Sequence, residues 1–172
     1  MSLSAFEADP LYRRYLDDRK LQNLLAQTIE LSQVVASDVD AVIFPGGHGP
    51  LWDLRHDPHA IRLIEECAGS GKPVATICHA GCVLLGARTP DGKPLVSGRP
   101  VTAFSDSEER VAGFDRDVPY VVEEELRSLG ALYLKADDWQ EHVVQDGCLI
   151  SGQNPASALA VAKAVHRALS AP

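Results

Sequence analysis

The sequence lacks a basic cluster and a long apolar run. Among its 172 residues, 24 are Asp or Glu and only 16 are Lys or Arg, so the formal net charge at pH 7 is -8. This charge argues against a nucleic-acid-binding surface. No apolar run approaches the length needed to span a bilayer, and residues 1–10 lack a basic stretch followed by an apolar core. We therefore expect neither membrane insertion nor secretion.

Cysteine is scarce, and its spacing argues against two common uses. The four cysteines, at positions 67, 78, 82 and 148, form neither a paired CxxC metal pattern nor the dense framework of a small secreted protein. We expect reduced thiols in a cytoplasmic protein, with no metal. The phosphate-binding patterns GxGxxG and GxxxxGK(S/T) are also missing, which argues against a cofactor-binding module and predicts no cofactor.

What is present is an alternation of apolar segments and helix signals. Residues 38–45 indicate a loop and a buried strand, Asp57-Pro58 begins a helix that ends near Gly69, and a second strand follows at Val74. This order predicts parallel strands with right-handed crossovers. We expect one α/β domain over residues 1–172, with an open, mostly parallel sheet and helices on both faces. Further predicted elements are amphipathic helices in 10–32, a hairpin from Asp91-Gly92 into 93–97, a strand at 101–104, a helix at 118–130, a strand at 131–134, a hairpin over 142–151 and a helix at 156–169.

The stretch from Lys72 to Gly86 contains the most informative pattern. Val74 to Ile77 is a short apolar run typical of a strand buried on both faces, and helical spacing begins directly at Cys78-His79. A strand that becomes a helix without a spacer predicts a nucleophile elbow, with the Cys78 side chain beside the free N–H groups of the helix. We expect these groups to lower the pKa of the thiol, and His79 to assist it. The alternative is a buried structural cysteine.

Two further segments are expected near the elbow. Gly46-Gly47-His48-Gly49 follows the first strand, so it lies at the same edge of the sheet as Cys78, where open α/β sheets bind their ligands. His48 is a candidate for substrate contact, and a simple tight turn is the alternative for the whole motif. Ser105 to Glu109 follows a later strand and has the composition of a capped helix start. Its position also allows one acid to be oriented toward His79.

A set of motifs is distributed over residues 38–170. They are Ala41-Val-Ile-Phe-Pro-Gly-Gly-His-Gly with Trp52-Asp53-Leu54, Ile77-Cys78-His79, Val101-Thr102-x-Phe104 before Glu108-Glu109, Trp139, His142-Val143, Asp146-Gly147 and Ser151-Gly152-Gln153-Asn154-Pro155-Ala156-Ser157. With these motifs the chain resembles the ThiJ/PfpI superfamily, which has a class I glutamine amidotransferase-like, flavodoxin-like fold. It looks most similar to the chaperone-type, glyoxalase III-like branch. The resemblance makes residues 38–172 the family core and residues 1–37 a helical N-terminal segment.

The resemblance implies a catalytic Cys78, His79 as its base partner and an acid that completes the triad. By its offset from Phe104 the best match to that acid is Glu109, and Glu108 is the second choice. The resemblance also implies backbone N–H donors near Gly47 and His79 that hold an oxyanion.

Three further residues are expected in the substrate-binding region: Gly46, His48 and Trp139. The implied activity is that of a glyoxalase III-like lyase in stress protection, converting methylglyoxal or a related 2-oxoaldehyde to the hydroxy acid without glutathione or metal. The implied partner is therefore a small aldehyde, and a homodimer is implied as well.

The sequence departs from the family pattern in two places. Ala80-Gly81 follows the Cys-His pair where this branch usually has Gly-Pro. Family members also begin with a strand that carries a glutamate whose carboxyl group hydrogen-bonds to the catalytic thiol. Residues 1–37 contain no run typical of a buried strand, and neither Glu7 nor Glu30 follows one.

Two other functions use the same elbow. A cysteine peptidase or amidase would need the same Cys-His-Glu set, because acyl transfer requires the same three roles. A holdase chaperone or redox-sensing stress protein would use Cys78 only as an oxidisable thiol. The other three cysteines are expected to be packing residues.

Overall fold

The computed structural model describes residues 10–170 of the chain. The described residues form two compact units, which divide between Val34 and Val35. Within the described residues, no helix is both long and apolar enough to cross a membrane. The single domain predicted over residues 1–172 stays a prediction.

The first unit contains two short helices, α1 (Pro10–Asp17) and α2 (Arg19–Ala26). The carboxylate of Asp18, between them, accepts a hydrogen bond of 3.0 Å from the N–H of Leu21 and so caps α2. The amphipathic helices predicted in residues 10–32 are confirmed. The beginning of the predicted helical segment lies outside the described residues.

The second unit contains six short strands: β1 (Val42–Phe44), β2 (Val74–Ile77), β3 (Pro100–Val101), β4 (Leu132–Tyr133), β5 (Val143–Asp146) and β6 (Leu149–Gly152). Four of them form a sheet with the order β1-β2-β6-β5, in which β5 and β6 are antiparallel and the other neighbours are parallel. The remaining two, β3 and β4, form a separate parallel pair. The predicted mostly parallel α/β sheet and the hairpin over 142–151 are confirmed.

Helices flank this sheet. They are α3 (Pro50–Asp53), α4 (Pro58–Gly69), α5 (Asp106–Ala112), α6 (Val122–Ser128) and α7 (Ala158–Ser170). Helix α4 begins as predicted, because Asp57 accepts hydrogen bonds from the N–H groups of His59 and Ala60. Pro58 suits the first helical position, since it has no N–H that would be left without a hydrogen-bond partner. Helix α7 closes the core: its side chains pack on Ala75 of β2 and Ile150 of β6.

Two predicted strands are shorter than expected. Asp91-Gly92 lies in a turn, but in the described structure the residues on its two sides form only the single bridge Arg88–Pro94, because Pro94 has no N–H with which to extend a ladder. The strand predicted at 101–104 ends at Val101. The next N–H, that of Thr102, donates to the Ser151 side chain at 2.9 Å instead of to another strand.

Two predicted helices also differ. The helix predicted at 118–130 begins only at Val122, because Val121 before it is extended, with φ -97° and ψ 126°, and Pro119 also disfavours helical geometry at Val118. The helix after the elbow is a 3-10 helix, Cys78–Leu85, rather than an α-helix.

Strand β1 lies at one edge of the described sheet, and residues 10–37 contain helices and 3-10 turns but no strand. The family's upstream strand and its glutamate therefore have no counterpart in residues 10–37. Glu7 lies outside the described residues.

Candidate active site

The predicted elbow is present at the end of β2. Cys78 has a φ of 59°, a left-handed conformation that is uncommon for a residue with a side chain. The chain turns directly from Ile77 into the 3-10 helix Cys78–Leu85, every residue of which is buried. This sharp turn holds the Cys78 side chain at the carboxyl edge of the sheet, in the arrangement of a nucleophile elbow.

Gly46 packs directly against the elbow. A Cβ atom at this position would lie 2.8 Å from the Cβ of Cys78 and 3.1 Å from the carbonyl oxygen of Ile77. Only glycine leaves room for this approach. The predicted closeness of the Gly46-Gly47 motif to Cys78 is therefore observed, and the two glycines bring backbone rather than side chains to the thiol.

Burial dominates the acidity of Cys78, whose residue is only 6% exposed. It raises the pKa of the thiol to about 12, although backbone N–H groups of His79 and Gly47 act in the opposite direction. The lowered pKa that we expected from the helix N-terminus is wrong for this thiol. The two N–H groups are in place, but they do not compensate for the loss of water around a thiolate.

His79 links the thiol to an acid. Its Nδ1 lies 3.2 Å from the sulfur of Cys78, and its Nε2 lies 2.7 Å from Oε2 of Glu109. Both His79 and Glu109 are 2% exposed. Burial raises the pKa of Glu109, but hydrogen bonds and charge interactions with His79 and His48 outweigh it and hold that pKa below its usual value.

His48 contacts the same carboxylate from the other side. Its Nε2 lies 3.2 Å from Oε1 of Glu109, and its ring lies 3.9 Å from the His79 ring, centroid to centroid. Burial and the neighbouring His79 lower the pKa of His48. His48 therefore lies at the site as predicted. The sequence did not indicate its hydrogen-bond partner, Glu109.

Glu108, the second-choice acid, faces away from His79 and into a different network. Its Oε2 accepts hydrogen bonds from the backbone N–H and the hydroxyl of Ser105, which completes a capping box. Its Oε1 accepts from the N–H of Trp139 and the side-chain amide of Asn154, each at 2.8 Å. All of its hydrogen bonds are therefore structural.

An aromatic row extends from His79 to the surface. The Phe104 ring lies 4.3 Å from His79, and the Trp139 ring meets Phe104 edge to face at 5.5 Å. Trp139 is 40% exposed and has a φ of 65°. The ring of Phe104 thus lies between His79 and Trp139, the residue predicted to bind substrate. We did not predict this place for Phe104.

The motif Ser151 to Ser157 fixes the segment that carries Trp139. The side-chain amide of Gln153 accepts a hydrogen bond of 2.9 Å from the N–H of Ala136, and that of Asn154 donates to the carbonyl of Gln140 at 2.7 Å. Both side chains are fully buried. The sequence indicated this motif only through the resemblance, and the structure assigns it to loop anchoring.

One set of potential metal ligands exists among residues 10–170. Single ligand atoms of His48, His79 and Glu109 lie within 4.8 Å of one another. In the structure these atoms are hydrogen-bonded to each other.

The fold and this Cys-His-Glu series place the chain among the α/β proteins that carry a cysteine on a nucleophile elbow. The sequence profile of the DJ-1/PfpI family matches residues 19–168. The chain belongs to this family.

Individual relatives agree with this assignment. The chain is 30% identical over 147 residues to the glutathione-independent glyoxalase HSP31 of Saccharomyces cerevisiae, covering 82% of this chain and 62% of that protein. It is 26% identical over 140 residues to glyoxalase 3 of Candida albicans, covering 78% and 59%. Among solved structures, the Rapid Encystment Protein 24 KDa of Francisella tularensis superposes with a TM-score of 0.90 at 31% identity, covering 95% of this chain and 72% of that one. The chain therefore spans about three fifths of the length of these two curated relatives.

Proposed function

We propose that this chain is a glutathione-independent glyoxalase that converts methylglyoxal or a related 2-oxoaldehyde to the hydroxy acid. The observation that carries the proposal is the continuous contact from the Cys78 sulfur through His79 to Glu109, at 3.2 Å and 2.7 Å. Relatives named as glutathione-independent glyoxalases support the choice of substrate. The burial of the thiol favours a small carbonyl compound over a polypeptide chain.

The protonation states follow from the hydrogen bonds. An ionised Glu109 can only accept, so the Nε2 of His79 must carry the hydrogen between them. The Nδ1 of neutral His79 is then unprotonated and faces the thiol. A thiol with a pKa of about 12 does not ionise by itself at neutral pH. His79 therefore takes the proton as the sulfur attacks the aldehyde carbon, which is general-base catalysis.

The alkoxide that forms at the aldehyde oxygen needs hydrogen-bond donors. The backbone N–H groups of Gly47 and His79 already interact with the Cys78 side chain, so an oxygen bonded to the carbon that the sulfur attacks lies within their reach. The reaction requires no external electron acceptor, because one substrate carbon is oxidised while its neighbour is reduced.

The test is lactate formation from methylglyoxal without glutathione by the unmodified chain, Cys78→Ser and Cys148→Ser. Cys148 is a matched control because it is a free cysteine outside the elbow, and its sulfur donates a hydrogen bond to the Ala68 carbonyl at 3.8 Å. We expect turnover by the unmodified chain and by Cys148→Ser but not by Cys78→Ser. Turnover retained by Cys78→Ser, or none in the unmodified chain, would contradict the proposal.

The homodimer and the cytoplasmic location that we expected stay predictions. Sedimentation of the purified chain tests the first of them.

A further inference from the structure

Glu109 fixes the state of two histidines at once. Its Oε1 accepts from His48 and its Oε2 accepts from His79, at 3.2 Å and 2.7 Å. Because an ionised carboxylate has no hydrogen to donate, both imidazoles must place a hydrogen on Nε2. In their neutral forms both therefore have an unprotonated Nδ1, which is the nitrogen that can act as a base.

The two Nδ1 atoms face different surroundings. That of His79 is directed at the Cys78 sulfur. That of His48 has no hydrogen-bond partner in the described part of the chain, and the His48 side chain is 21% exposed, so a small molecule can reach this side chain. The His48 ring is held between the His79 ring at 3.9 Å and the edge of Phe114 at 5.2 Å. The site thus contains a second oriented base that the thiol does not use.

The proposed reaction needs such a base. After sulfur has added to the aldehyde carbon, C1, the hydrogen on C1 must move to the ketone carbon, C2. We propose that His48 is the base that removes the C1 hydrogen and returns it to C2, while His79 serves the sulfur. This inference rests on the proposed function and assigns a further step of the same site.

The step balances within the substrate. First the S–C1 bond forms and the thiol proton passes through His79 to the oxygen on C1. Then His48 removes the C1 proton, the C–H electron pair forms C1=C2, and the C2 carbonyl pair moves to its oxygen. His48 returns the proton to C2, and the hydroxyl proton on C1 moves to the oxygen on C2 as the C1 carbonyl reforms. Finally water cleaves the C1–S thioester, which releases the hydroxy acid and restores the thiol. C1 loses two electrons and C2 gains two.

The environment of His48 suits this role. Burial and the adjacent His79 lower its pKa, so the imidazole is neutral and able to accept a proton at pH 7. Its partial exposure also allows the captured proton to exchange with solvent before it is returned.

The test compares His48→Gln with His56→Gln. Glutamine can still donate a side-chain N–H to Glu109 but cannot take a proton, and His56 is an exposed histidine that serves as a matched control. We expect His48→Gln to lower kcat by about 10²- to 10⁴-fold, the usual range for a lost general base, and His56→Gln to keep the unmodified rate. With substrate deuterated at C1, the remaining turnover of His48→Gln should show a larger isotope effect than the unmodified chain.

A second readout separates catalysis from positioning. The rate of Cys78 alkylation by iodoacetamide in His48→Gln should stay within about twofold of the rate in the unmodified chain, because His79 is the base that accepts the thiol proton. If alkylation slows as much as turnover, His48 only positions Glu109, and the proposal is overturned. Full turnover by His48→Gln overturns this step alone, whereas no turnover by the unmodified chain overturns the proposed function and this step together.

Discussion

Exchanging each of two adjacent glutamates for glutamine should separate stability from activity. The carboxylates of Glu108 and Glu109 are both buried, and both accept several hydrogen bonds. They differ in what donates to them. Glu109 receives two histidine Nε2–H groups, whereas each oxygen of Glu108 receives one backbone N–H, from Ser105 or from Trp139.

This difference decides the magnitude of each effect. In Glu108→Gln the new NH2 group must face one backbone N–H whichever way the amide is oriented, because neither backbone donor can become an acceptor. One buried donor on the Ser105 side, where the hydroxyl can turn and accept, or two on the Trp139 side lose an acceptor at about 1–3 kcal/mol each, so we expect a loss of about 1–6 kcal/mol in the free energy of unfolding. In Glu109→Gln the amide oxygen accepts from one histidine, and the other histidine changes tautomer and accepts from the NH2 group, so we expect a loss below about 1.5 kcal/mol.

The effects on catalysis should be reversed. In either orientation of the Glu109→Gln amide, the imidazolium that forms on His79 loses its carboxylate partner. Where the NH2 group faces His79, the tautomer change also places a hydrogen on its Nδ1, which then cannot accept the thiol proton. We expect kcat to fall by about 10²- to 10⁴-fold. The folded fraction of Glu108→Gln should keep kcat within about tenfold, since its contacts reach only the capping box and the Trp139 segment.

The assays are urea unfolding at pH 7 and methylglyoxal turnover under conditions where each variant is folded. A Glu109→Gln variant with more than half of the original kcat would refute the assignment of the acid. A Glu108→Gln variant with unchanged stability would refute the hydrogen-bond argument.

Two further predictions use the same two assays. Gly46→Ala should lower kcat by about 10²-fold, because its Cβ would displace Cys78 and misplacing a reacting group by about 1 Å has this effect. The control is Gly49→Ala, whose Cβ would meet nothing within 4 Å and which should keep the unmodified kcat. Equal rates in the two variants would contradict the packing argument. Stability should decrease as the pH falls below about 6.5, because the lowered pKa of His48 means that the unfolded chain binds its proton first. Urea unfolding midpoints measured between pH 8 and pH 5 follow this decrease in stability. The decrease should be smaller in His48→Gln. An equal decrease in that variant would show that other titratable groups cause it.

The local part of this site was predictable from the sequence. The change from apolar strand to helical spacing at Cys78 occurs within one segment, so periodicity alone located the elbow. The capping box at Ser105 and Glu108 is equally local, because its two residues are three apart.

What the sequence did not reveal depends on tertiary contacts. His48 and Glu109 are separated by 61 residues, and no sequence pattern records that they meet. No local pattern separated the adjacent glutamates either: the preference for Glu109 came from the resemblance, and the direction of each side chain on α5 determines its partners. The raised pKa of Cys78 results from burial by several distant segments, whereas the helix-terminus argument considered one turn.

The aromatic row gives the site an optical signal. The chain has two tryptophans, and one of them, Trp139, is coupled through Phe104 to the ring of His79. Trp52 is 61% exposed and makes up the rest of the tryptophan emission. Trp52→Phe would therefore leave Trp139, near the surface end of the aromatic row, as the single tryptophan. Its emission could follow the arrival and departure of an aldehyde in real time, without a label and without waiting for product.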